Sequence, residues 1–166
     1  MIDFLLWVEN LEFSAFLRES SSLLSFPIFL YIHTLGMSIF AGSAAIICFA
    51  VLGMWPKGAP LKPLERFYTL LWIGLGIEVL TGVSIFMKDA STYGRNTDFY
   101  IKLLLVVIGV VLLVRIRGRV LRNPQVETGV VPAEGRMLAW TSILCWAGVI
   151  ITGRLIAYLQ PVPGDF

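Results

Sequence analysis

The chain is poor in the residues that do most metal and acid–base chemistry: of 166 residues, one is histidine, two are cysteine and 14% are charged. A single histidine excludes a haem held by two histidines of one chain, so a b-type centre would need methionine, an open position or a partner chain. No Cys-x-x-Cys or Cys-x-x-Cys-His motif exists for zinc, thioredoxin-like chemistry or covalent haem. Cys48 and Cys145 both fall in apolar runs, where a free thiol behaves as a small buried hydrophobe. A nucleotide-binding glycine loop, a Gly-x-Ser-x-Gly turn and a His-Glu-x-x-His helix are all missing, so a hydrolase has no residues to carry it.

What is abundant is apolar sequence, at 57% hydrophobic residues. Of four runs, about 27–54, 67–87, 99–114 and 137–159, the first, second and fourth reach the roughly 20 residues that a helix needs to cross a bilayer and the third approaches it. The weak period-two alternation of a barrel strand is absent. The expected fold is all-α: a single integral membrane domain over 1–166, a four-helix bundle in up-down order. The third run is the shortest and must borrow length from Lys102, which can snorkel, and from the Arg115 region.

The charges are few but unevenly placed. Lys57, Lys62 and Arg66 lie between the first two runs, and Arg115, Arg117, Arg119, Arg122 and Arg136 between the last two. By the positive-inside rule these segments are cytoplasmic and both termini lie outside, in a bacterial inner membrane. The net charge of +2 hides this asymmetry, and the basic loops are topology signals that give no reason to invoke nucleic acid.

The first residues lack the basic start and cleavage site of a targeting peptide. Phe4, Leu5, Val8, Leu11 and Ala15 recur at helical spacing, with Trp7 placed to sit among headgroups, which predicts one amphipathic interfacial helix over 3–19. The loop 55–63, with three prolines, reads as short and stiff, and the connection 115–136 as the best candidate for mobility or partner contact. Gly36, Ser38, Ala41 and Gly42 in the first span, and Gly74 and Gly82 flanking Glu78 in the second, let helix backbones approach closely.

An ionisable residue inside a span is costly and points to function. His33, Glu78, Lys102 and Arg154 are such residues, and Tyr158 shares a face with Arg154. At about 1.5 Å per residue, His33 lies roughly 9 Å, Glu78 roughly 15 Å and Arg154 roughly 8 Å inside the outer ends of their spans. His33, Glu78, Lys102, Arg154 and Tyr158 are therefore the candidate cofactor-binding residues, in the outer half. The bland alternatives are a structural histidine, a buried Glu78 ion pair and snorkelling Lys102 and Arg154. Copper could use His33 with Met37, one turn apart, helped by Met87. Quinone would need only donors and acceptors in an apolar slot.

His33-Thr34-x-Gly36, Thr81-Gly82, Phe99-x-x-Lys102 and Thr152-Gly153-Arg154 with Ala157-Tyr158 resemble, in order and spacing, an uncharacterised family of small four-helix bacterial inner-membrane proteins. More distantly the chain is similar to copper-resistance membrane proteins and b-type cytochromes, though it lacks their several histidines. The resemblance implies a multi-pass bundle and assigns no chemistry.

The expected function is a ligand or cofactor pocket in the outer half, binding haem b, quinone or copper as a component of membrane electron transfer. The alternatives are a structural or accessory subunit of a membrane complex and a small proton or copper transporter. No catalytic residues are legible, and the chain reads as no enzyme by itself. Its expected partners are the lipid bilayer and further copies of itself or a larger membrane complex.

Overall fold

In the computed structural model, residues 2–54, 61–123 and 131–158 are described. The stiff loop expected at 55–63 lies largely outside them, as do 124–130 of the connection expected to be mobile. Every regular element among them is helical: α1 (Ile2–Glu9), α2 (Glu12–Glu19), α3 (Phe26–Phe49), α4 (Glu65–Lys88), α5 (Ala90–Tyr93), α6 (Thr97–Ile116) and α7 (Ala133–Tyr158). Helices α3, α4, α6 and α7 carry four stretches long and apolar enough to cross a membrane: Phe26–Met54, Lys62–Lys88, Thr97–Leu121 and Ala133–Ile156. The third, expected to be the shortest, continues through a π-helical turn, Arg117–Leu121, in which Val120 and Leu121 are buried. Arg117 at the start of this turn and Arg122 just past it both reach Glu65 at the start of α4.

Each long helix buries a stripe at three- and four-residue steps, the spacing of one helix face. On α4 this stripe runs Tyr68, Leu71, Gly74 and on to Thr81, continuing from Leu64 just before the helix; on α7 it runs Leu138, Ser142, Cys145, Val149 and Ile156. Helix α3 packs along α4, and α6 along α7. Glycines set the closeness of the first pair. A Cβ on Gly74 would stand 2.7 Å from the Phe40 backbone nitrogen, and one on Gly36 2.7 Å from Ile77 Cγ2. In the second pair Gly109 lies under the Trp146 ring, and the Cys145 thiol donates to the Leu105 carbonyl at 3.0 Å.

The two pairs join most tightly in the half nearer the basic segments. There Phe40, Ile47, Cys48, Tyr68, Leu71, Leu113, Ile116 and Ala139 belong to one buried apolar cluster. Phe40 meets Trp146 edge-on at 4.4 Å, and the Tyr68 hydroxyl donates to the Leu113 carbonyl at 2.8 Å. Arg117 lies over the Tyr68 ring and closes this end.

The opposite end is covered differently. The single helix expected over 3–19 is broken at Asn10 and Leu11 into α1 and α2. The break has a physical cause: Ser14 donates to the Val8 carbonyl at 2.8 Å across the turn, and the bend lets Leu5 and Val8 pack on Ala90 of α5. Glu9 then accepts from the Ser91 backbone amide at 3.0 Å, tying α1 to α5. Phe86 of α4 stacks on Phe99 of α6 at 5.3 Å beneath α5.

Candidate functional site

Between the apolar cluster at one end and the Phe86–Phe99 stack at the other, the buried stripes of three helices turn polar. His33 lies three residues before Gly36 on α3, Glu78 four after Gly74 on α4, and Lys102 seven before Gly109 on α6. Each continues the face that packs the core of its own helix.

His33 Nε2 stands 3.3 Å from Glu78 Oε2, and His33 Nδ1 stands 2.8 Å from Thr81 Oγ1. Both ring nitrogens are thus engaged by one helix, α4. Gly82 lies under the ring, where a Cβ would meet His33 Cε1 at an ordinary contact distance of 3.5 Å. The Thr81 hydroxyl in turn donates to the Ile77 carbonyl at 2.6 Å, so it is held in one orientation. The second carboxyl oxygen, Glu78 Oε1, is buried with no hydrogen-bond partner among the described residues. The carboxyl group is therefore satisfied on one side only, an uncommon state for a buried polar group.

Lys102 reaches into the same region. Its ammonium lies beside Gly153 of α7, 3.6 Å from where a Cβ would be, and within electrostatic reach of both Glu78 and His33. It closes no ion pair among the described residues. The His33 and Glu78 side chains retain 17% and 19% of their surface, so the pair is not sealed off.

Of the residues expected from sequence, His33, Glu78 and Lys102 come together, and Arg154 and Tyr158 do not. Arg154 is exposed and Tyr158 is 80% exposed. The α7 face that packs inward carries Val149 and Ile156, and at about 100° per residue Arg154 points away from both. Met37 is half-buried one turn from His33, with its backbone near the Glu78 carboxyl. Met87 packs instead with Leu5, Val8 and Ala90. Thr81 joins the site although it is not among the candidates expected from sequence. Its signal was present, since it follows Glu78 by three residues on the same face and so comes level with a histidine on the facing helix.

The donor set can be weighed against the groups expected. Copper or haem iron would take a nitrogen lone pair from His33, and both nitrogens are already engaged. Among the described residues no three His, Cys, Asp or Glu side chains are grouped to hold a metal ion. A ligand presenting oxygen is better matched, with Lys102 as donor and the free side of the Glu78 carboxyl as proton donor or acceptor.

Residues 10–159 match the family described as a family of unknown function, DUF6644. The match covers most of the chain, which therefore belongs to that family, as expected of an uncharacterised one. No curated protein and no solved structure matches it.

Proposed function

We propose that this chain is a multi-pass protein of the bacterial inner membrane, with both termini outside, that binds a lipid-soluble, carbonyl-bearing ligand of the quinone class between α3, α4 and α6. The observation that carries this reading is that a one-sided carboxyl, Glu78, and an ammonium that closes no ion pair among the described residues, Lys102, lie within electrostatic reach of one another. In hydrocarbon each would be costly alone; a ligand carbonyl oxygen would accept from Lys102, and the hydroxyl of its reduced form would also donate to Glu78 Oε1. Lys102 donates to the carbonyl, the Glu78–His33 pair manages its proton, and Phe86 and Phe99 offer ring faces toward the outer end.

Two further features fit this reading. The partial exposure of His33 and Glu78 leaves the pair open to an apolar ligand arriving from the lipid. Phe4 and Trp7 on α1 and Phe13 and Phe16 on α2 are exposed apolar residues at the outer end, suited to lie in the headgroup region. The basic segments at the other end carry Lys62, Arg66, Arg115 and Arg136 exposed, as a cytoplasmic face does.

The test is binding of a short-chain benzoquinone or naphthoquinone to the purified full chain in nanodiscs. Saturable binding is expected, weakened about tenfold or more in Lys102→Ala, since a hydrogen bond to a charged group is worth about 1.5–3 kcal/mol. No saturable binding would overturn the reading. A reduced haem spectrum lost in His33→Ala would replace quinone by haem.

The second reading is an accessory subunit of a larger membrane complex or homo-oligomer. Thr34, Ser38 and Gly42 favour it, because they form an exposed face of small residues on α3 along which another helix could pack. A proton-conducting role is the third. Proton flux in vesicles that is abolished by Glu78→Gln would support it over ligand binding.

A further inference from the structure

The hydrogen bonds around His33 fix how many protons the site holds. A hydroxyl has one proton to give, and Thr81 gives its proton to the Ile77 carbonyl at 2.6 Å. Toward His33, 2.8 Å away, Thr81 Oγ1 can then only accept, so His33 must donate from Nδ1. In a neutral imidazole protonated on Nδ1, the other nitrogen carries a lone pair. That lone pair faces Glu78 Oε2 at 3.3 Å. A lone pair and an ionised carboxylate repel one another, and a proton between them turns the contact into a hydrogen bond.

From this we infer that Thr81 is a positioning residue that fixes the His33 tautomer and makes the His33–Glu78 pair a store of one proton, available to an oxyanion held by Lys102. This rests on the reading of the region as a ligand site. The stored proton sits on Glu78 beside neutral His33, or on His33 beside the carboxylate, and either way the pair is neutral overall. With the Lys102 ammonium the site carries one positive charge, which favours an oxyanion or an oxygen about to become one. In the transfer the Glu78 O–H bond breaks and an O–H bond forms on the ligand. The carboxylate left behind faces the Lys102 ammonium, so the net charge is unchanged. Three helices supply the charged and titratable groups that face the pair: His33 itself on α3, Glu78 on α4 and Lys102 on α6. Helix α7 contributes Gly153, and its Arg154 is exposed.

His33 is the only histidine in the chain, so nitrogen-15 labelling of histidine reports this ring alone. The experiment is nitrogen NMR together with the carboxyl infrared spectrum of the ligand-free full chain in nanodiscs, with Glu78→Gln identifying the carboxyl band. Either of two results is expected: neutral His33 protonated on Nδ1 with a protonated Glu78, or doubly protonated His33 with ionised Glu78. In Thr81→Val a neutral ring loses its fixed tautomer and a doubly protonated ring loses the hydrogen-bond shift of its Nδ1 resonance, and Thr81→Ser restores either. Neutral His33 protonated on Nε2 would overturn the role of Thr81. Neutral His33 beside ionised Glu78, or doubly protonated His33 beside protonated Glu78, would overturn the count of one proton. These readouts need no ligand, so a failed quinone titration and a failed proton count are separate results.

Discussion

The two halves of the bundle are built from the same helices and solve different problems. Toward the basic segments the stripes are Phe40, Ile47, Leu71, Leu113 and Ile116, and they close on one another. Toward the other end the same stripes become His33, Glu78, Thr81 and Lys102, and their polar groups are only partly satisfied by one another. Stability and function are thus divided along one bundle axis: packing holds the helices in register, and that register presents the polar groups.

If this division holds, substitutions in the two halves should separate in kind. The largest loss of stability is expected from Gly74→Leu. Its Cβ alone would lie 2.7 Å from the Phe40 backbone nitrogen, and a backbone atom cannot swing aside as a side chain can. Overpacking costs typically about 1–3 kcal/mol, and a backbone obstacle puts this site at the upper end or beyond. Thermal unfolding of the detergent-purified protein measures it. Gly82→Ala in the polar half should be far milder, because its Cβ would meet His33 at an ordinary 3.5 Å. Equal losses would show that the halves do not differ in tightness.

Next in size is Tyr68→Phe. The ring is 1% exposed and its hydroxyl donates to the Leu113 carbonyl. That carbonyl also accepts from the Arg117 backbone amide, so it would not be orphaned, and the loss is expected near about 1 kcal/mol. Quinone affinity should not change. A fall in affinity would mean that the packed half tunes the site.

A smaller effect is expected for Glu65→Gln. Glu65 takes Arg117 at 2.7 Å on one oxygen and Arg122 at 2.9 Å on the other, and Arg119 pairs with Glu134 nearby. With the Glu65 side chain 29% exposed, solvent screening discounts these pairs to about 0–1 kcal/mol in all. Unfolding measured at low and high salt should converge between the two proteins as salt rises.

Much of this division was legible in the residues. Run lengths gave the four membrane-length helices, and the spacing of Gly74, Glu78 and Gly82 placed Glu78 on a packing face. What composition could not supply was the rotation of each helix about its own axis. Arg154 and Tyr158 are one turn apart and deep enough by residue counting, yet their shared face points outward. The steps Leu138, Ser142, Cys145 and Val149 define the inward face, and they become decisive only once α7 is known to pack on α6. The break in the N-terminal helix was hidden for a similar reason, since Asn10 and Leu11 contain no glycine or proline and the bend depends on contacts with α5.

The smallest change in stability, and the sharpest separation of the halves, is expected for Glu78→Gln. A protonated carboxyl and a carboxamide have nearly the same shape, and the amide can still donate to the His33 Nε2 lone pair. The amide oxygen takes the place of Oε1 and is left as unpaired among the described residues as the carboxyl oxygen is, so nothing is lost on that side. Unfolding should therefore shift less than in Tyr68→Phe. The amide holds no proton to transfer, so proton exchange with a bound oxyanion should be lost while quinone affinity falls only modestly. A large destabilisation would instead make Glu78 a structural ion, a helix clamp through Lys102, and would move the weight of the polar half from chemistry to assembly.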